Sequence, residues 1–124
     1  MISGQVSNRR ALVPVTFRLT GQPDLVIEFV VDTGYVGFLT LPHAAVLAMR
    51  LSYLHHTPAG LADDSQVQIP VYEAIVVWEG AERAVRVLAM GKHPLLGTAL
   101  MDDRELRVLF REGSPVTISE PPIP

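Results

Sequence analysis

Two strand signals that run into a charged tripeptide constrain this chain more than anything else in it. From Leu12 to Leu19, Val13, Val15, Phe17 and Leu19 fall on one face, and Pro14, Thr16 and Arg18 on the other. Successive side chains of a strand point to opposite faces, so this alternation predicts a half-buried β-strand. The cluster Gly21-Gln22-Pro23-Asp24 predicts a turn. Leu25 to Val31 is then apolar except for Glu28, the pattern of a strand covered on both faces. It stops at Asp32-Thr33-Gly34.

The rest of the chain continues in short β units. Phe38 to Leu41 predicts another strand. Pro42 suits the first turn of a helix, where its missing N–H costs nothing, and His43 to Leu51 supplies the helix formers. Two hairpins are expected next. One turns at Asp63-Asp64 and returns through Ser65 to Val71; the other runs from Tyr72 to Trp78, turns at Glu79-Gly80 and returns through Arg83 to Met90. After the loop Gly91-Lys92-His93-Pro94, Leu95-Leu96-Gly97 reads as a short apolar strand. Thr98 is placed to cap a helix running to about Glu105. Leu106 to Phe110 and Val116 to Ile118, around Glu112-Gly113, predict a last hairpin. Residues 119–124 read as an extended tail. The expectation is a single mainly β domain over residues 1–124, with one or two short helices.

Composition narrows the function classes. The chain has 124 residues, 48% of them hydrophobic, enough for a real core in a domain of ordinary size. Ten basic against 13 acidic residues give a net charge of -3, and no basic tract forms a nucleic-acid footprint. The absence of cysteine excludes disulfides, thiol nucleophiles and thiolate metal sites. The apolar runs are far shorter than the roughly 20 residues a helix needs to span a bilayer. The N-terminal residues lack the apolar core of a signal peptide. A cytoplasmic protein with no membrane or nucleic-acid partner is expected.

A carboxylate placed directly after a buried strand, followed by Thr-Gly, is an unusual demand. The strand fixes the carboxylate, glycine allows a tight turn, and the threonine hydroxyl can lock the loop. Asp, Thr and Gly are also ordinary turn formers, so the tripeptide alone decides nothing. Three further features accompany it in order: Gly37-Phe38-Leu39-Thr40-Leu41-Pro42 after the motif, a hairpin tip at Leu61-Ala62-Asp63-Asp64-Ser65, and Leu95-Leu96-Gly97. Together they resemble the retropepsin-like aspartic peptidases, in particular their small prokaryotic relatives, from about Leu12 to Ile118.

The resemblance implies a closed-barrel retropepsin-like acid protease fold. It implies Asp32, Thr33 and Gly34 as the catalytic motif, with Leu95, Leu96 and Gly97 packed beside it as structural support. It implies a flap whose Ala62, Asp63, Asp64 and Ser65 contact a peptide or protein substrate. No cofactor and no metal is implied. Such peptidases need two carboxylates sharing a proton, and this chain has one Asp-Thr-Gly. Asp24, Asp63, Asp64, Asp102 and Asp103 sit in polar turns or a helix. The second carboxylate is therefore expected from Asp32 of a second copy in a twofold homodimer.

Two residues depart from the family pattern. The second residue after the motif glycine, often a Ser or Thr whose hydroxyl supports the carboxylate, is Val36. The flap tip, often Asp-Gly in relatives, is Asp63-Asp64, and Asp enters the left-handed region less readily than Gly. Val36 favours a rival from another class, a weak or inactive dimeric β-domain that binds peptides or proteins. The remaining residues point nowhere else. His55-His56 face opposite ways if they lie on a strand, and His43 and His93 lie in unrelated contexts. Trp78 with Tyr72 suits hairpin packing, and Asp102-Asp103-Arg104-Glu105 suits a solvated helix face. No serine has a Gly-x-Ser-x-Gly setting.

Overall fold

The alternation of the first strand carries directly into burial. In β2 (Arg10–Arg18), Ala11, Val13, Val15 and Phe17 are buried, whereas Arg10, Pro14 and Arg18 are exposed. Phe17 stacks on Phe29 of β3 (Leu25–Val31), with ring centroids 5.9 Å apart. The computed structural model describes residues 1–123; Pro124, the end of the expected tail, lies outside the described residues. Besides these two strands it contains β1 (Ile2–Ser7), β4 (Leu39–Leu41), α1 (His43–Ala48), β5 (Ser52–Gly60), β6 (Gln66–Trp78), β7 (Ala81–Ala89), β8 (Leu95–Leu96), β9 (Glu105–Val108) and β10 (Pro115–Ser119).

All ten strands join one sheet in the order β5-β6-β7-β4-β8-β3-β2-β1-β10-β9, and an additional β6–β2 pairing closes β2, β3, β8, β4, β7 and β6 into a ring. The ring realises the closed β architecture expected from the sequence. β5 and the branch β1-β10-β9 lie outside it. Fully buried Phe17, Phe29, Leu39, Leu41, Leu96 and Leu100 are among the largest side chains of the core.

Several local expectations are corrected. Residues 66–78 form one strand of 13 residues, not two segments divided at Val71. The two hairpins thus share β6, which pairs with β5 on one side and with β7 on the other. Their turns fall where expected. At the second, Glu79 and Gly80 have φ of 53° and 79°, the left-handed pair that a tight two-residue hairpin needs.

β3 is not covered on both faces in the single chain: Leu25 is 40% and Val26 58% exposed, and only Phe29 is buried. α1 is shorter than expected and Pro42 stands before it, at the N-cap, not in its first turn. Arg50 leaves the helical region with φ 55°.

The helix expected from Thr98 to Glu105 is a single 3-10 turn over Thr98–Met101, entered from Gly97 with no side-chain cap. Asp102, with ψ 131°, ends it, Asp103 follows with φ 58°, and Glu105 is already paired with Ser119 across β9 and β10. Sheet pairing overrides the helical preference of Asp102 to Glu105. Because Ser119 belongs to β10, the tail begins at Glu120. β1 carries too few apolar residues to announce itself, yet it pairs with both β2 and β10.

Candidate functional site

β3 delivers Asp32 to the surface of the ring. It runs parallel to β8, with Val30 opposite Leu95 and Val31 opposite Leu96. On its other side β8 runs antiparallel to β4, with Leu39 opposite Leu96. The loop 32–38 therefore leaves one neighbour of β8 and re-enters the sheet as the other. This is how Asp32-Thr33-Gly34 and Leu95-Leu96-Gly97, 63 positions apart, are brought together.

Main-chain hydrogen bonds hold the loop from both ends. Asp32 N–H donates to Leu96 O at 2.9 Å and Val30 N–H to Pro94 O at 2.9 Å. Gly97 N–H donates to Phe38 O at 2.8 Å, Thr98 N–H to Tyr35 O at 2.8 Å and Ala99 N–H to Gly37 O at 3.1 Å. The carboxylate is fixed within its own loop, where Oδ1 accepts from Gly34 N–H at 2.9 Å. A β-carbon on Gly34 would lie 3.2 Å from that oxygen, so glycine keeps the approach open. Asp32 is partly buried, while Thr33 and Gly34 are exposed. Val36 is 79% exposed and supplies no hydroxyl to the carboxylate.

Tyr35 is a site-building residue that the sequence reading did not single out. Its carbonyl also takes the Thr98 hydroxyl, at 3.4 Å, so the hydroxyl expected to cap a helix serves the loop instead. The Tyr35 ring covers Gly37 and Gly97: a β-carbon on Gly97 would meet the Gly37 carbonyl oxygen and lie 2.6 Å from Tyr35 Cδ2 and 2.7 Å from Tyr35 O. Burial of the ring pushes the phenol above its usual titration range, so the hydroxyl stays neutral. An aromatic residue flanked by Gly34 and Gly37 was the available signal; its meaning depends on Gly97, which is remote in sequence.

The expected flap is the tip of the β5–β6 hairpin. Leu61 N–H donates to Ser65 O at 2.8 Å and Asp64 N–H to Leu61 O at 3.1 Å. Asp63 Oδ1 accepts from Ser65 N–H at 3.0 Å and from the Ser65 hydroxyl at 2.5 Å. The hydroxyl and the amide hold the Asp63 carboxyl below the usual carboxylate range. Asp64 does enter the left-handed region, with φ 66°. Ala62, Asp63, Asp64 and Ser65 are all exposed, and the hydrogen bonds of the tip are internal to it.

The other candidates play structural parts. Trp78 and Tyr72 are buried in the core, and Tyr72 meets Tyr53 edge-on at 5.7 Å. The Tyr53 hydroxyl contacts His56 Nδ1. Arg104 pairs with Glu79 at 3.0 Å, and that carboxylate raises the guanidinium further above its usual range. Among the described residues, no group of three or more His, Asp or Glu is placed to hold a metal ion. No helix among them is long and apolar enough to cross a membrane.

The ring, the parallel β3–β8 pair and the Asp32 loop define a retropepsin-like fold. The structure is similar to that of a retropepsin-like aspartic protease from Rickettsia conorii, with a TM-score of 0.59 over 96% of this chain and 90% of that one, at 13% identity. At that identity the likeness concerns the fold. No protein-family model and no curated protein matches the sequence.

Proposed function

We propose that this chain is an aspartic endopeptidase that acts as a homodimer, with Asp32 of each subunit forming the catalytic dyad. The observation that carries the reading is the Asp32 carboxylate itself. It stands at the end of β3, its Oδ1 held by Gly34 N–H while the main-chain N–H of Asp32 donates to Leu96 O, in a loop whose Thr33 and Gly34 are exposed in the protomer. A carboxylate this well fixed and yet open on one side fits a site whose other half is a second copy of the loop.

Two carboxylates a few ångströms apart hold one proton between them. In the dimer the ionised one would take a proton from a water lying between them. The protonated one would donate a hydrogen bond to the scissile carbonyl oxygen. Water adds to the carbonyl carbon, the leaving amine takes up a proton, and no covalent intermediate forms. Thr33, exposed beside the dyad, would hydrogen-bond across the axis to the partner loop. Ala62 to Ser65 would close over an extended peptide and pair with its backbone. Leu95, Leu96 and Gly97 act through the loop they hold.

Cleavage of a peptide library by wild type and by Asp32→Asn tests this. The expected loss is at least about 10²–10⁴-fold, the usual weight of a positioned acid or base. Equal rates would overturn it. Val36 carries the second reading, a dimeric domain that binds peptides without turnover. Its exposed apolar side chain occupies the place of a supporting hydroxyl. Peptide binding with no products from pH 4 to 7 would favour that reading.

A further inference from the structure

We infer that Arg83 is a positioning residue for Asp32, reaching from β7 to hold Phe38 and, through it, the far end of the Asp32 loop. β7 pairs with β4 only from Val87 to Ala89. Residues 81–86 of β7 have no β4 neighbour, so the sheet parts where β4 gives way to the loop that carries Asp32. Side chains alternate along a strand, so Arg83 shares the face of Val85 and Val87, both buried in the core. Arg83 itself is exposed and extends that face one step beyond the core. Its guanidinium carbon lies 5.4 Å from the centroid of the Phe38 ring, inside the range of a cation–π contact. Phe38 is also packed against the core, so its side chain is held both by the core and by Arg83.

The charges around Arg83 leave it to this ring. The nearest carboxylates in sequence are Glu82 and Glu79. Arg18 takes Glu82 at 2.9 Å, and Arg104 takes Glu79 at 3.0 Å. Among the described residues, Arg83 forms no salt bridge. Phe38 in turn is a junction of the loop. Its carbonyl accepts Gly97 N–H at 2.8 Å, and Gly97 follows Leu96, whose carbonyl takes Asp32 N–H at 2.9 Å. A continuous line of contacts thus runs from β7 to the backbone of Asp32. The start of the loop is fixed by the β3–β8 pairing. Its end has the hydrogen bonds of Gly97 and Ala99 on one side and Arg83 on the other. The effect of Arg83 on cleavage rests on the peptidase reading; its hold on the loop does not.

Hydrogen exchange and the hydrolysis of a library peptide, both on the full chain, test it, with circular dichroism to show that each variant is folded. Arg83→Met keeps an apolar stem and removes the charge. The Gly97 and Ala99 amides, bonded to Phe38 O and Gly37 O, are expected to exchange about two- to fivefold faster, the weight of one exposed cation–π contact. Exchange of the β1 amides should not change. kcat should fall by about the same factor for each loop of the proposed site, with KM unchanged, because Arg83 acts on the loop and not on the peptide. Arg83→Lys keeps a cation without the flat guanidinium and should recover part of both losses. Adding Arg83→Met to Phe38→Leu should cost nothing further, since the ring it holds is already gone. Arg86→Met, on the opposite face of β7, should change neither readout. Wild-type exchange in Arg83→Met, faster exchange with unchanged kcat in an active enzyme, equal losses from Arg86→Met, no recovery in Arg83→Lys, or a further loss on the Phe38→Leu background would each overturn the inference. A wild type that cleaves nothing, with Gly97 exchange still faster in Arg83→Met, would overturn the peptidase reading and leave the hold on the loop standing.

Discussion

Gly97 shows how closely the loop around Asp32 is built. A β-carbon there would run into backbone, the Gly37 carbonyl oxygen and Tyr35 O, and backbone atoms held by hydrogen bonds cannot yield. At Gly37 the obstruction is only the Tyr35 side chain, which can turn away. Gly97→Ala should therefore destabilise the chain by about 2–3 kcal/mol, in the range of overpacked cores, and Gly37→Ala by less, read as shifts of the denaturant midpoint. Tyr35→Phe keeps the ring over both glycines and should stay within about 0.5 kcal/mol of wild type, whereas Tyr35→Ala should cost about 2 kcal/mol, half the usual loss for a fully buried aromatic. Asp32 was legible because an apolar strand ending in Asp-Thr-Gly is a local pattern. Tyr35 was not, because its partner Gly97 is set by the β3–β8 pairing and not by neighbours in sequence.

At the scale of elements, the hairpin tip is the part most sensitive to conditions. Asp63 titrates below its ordinary range because the Ser65 hydroxyl and amide favour its charged form. The sign follows: its contribution to the tip is complete above the ordinary carboxylate range and is lost as pH falls through the lowered value. Because Asp63 is exposed, the effect is local. The Ser65 amide resonance is expected to move through an acid titration in wild type and to stay still in Asp63→Asn. Asp64→Gly should stabilise the chain by up to about 1 kcal/mol, since glycine enters the left-handed region without the penalty an L side chain meets there. Strands with strict alternation, such as β2, were legible from sequence. β1 was hidden because Ile2 and Val6 are too sparse to show a period, and residues 98–105 looked helical because the pairing of Glu105 with Ser119 is invisible locally.

The whole molecule carries one Asp32 per chain, so the proposed chemistry belongs to a pair of chains. Cleavage should fall off on both the acid and alkaline sides, when the dyad carries two protons and when it carries none. The closed ring was foreseeable from the succession of strands and turns; which apolar residues stay outside the core was not, since Val26, Val36, Leu109 and Phe110 look like core residues in sequence and are exposed in the single chain. The shared dyad is tested most directly by mixing wild type with Asp32→Asn at fixed total concentration, letting the subunits exchange, and measuring peptide cleavage. If each site needs two intact aspartates, activity should fall with the square of the wild-type fraction, to about a quarter at equal mixing. A linear decline to half, or a wild type that cleaves nothing, would contradict the account.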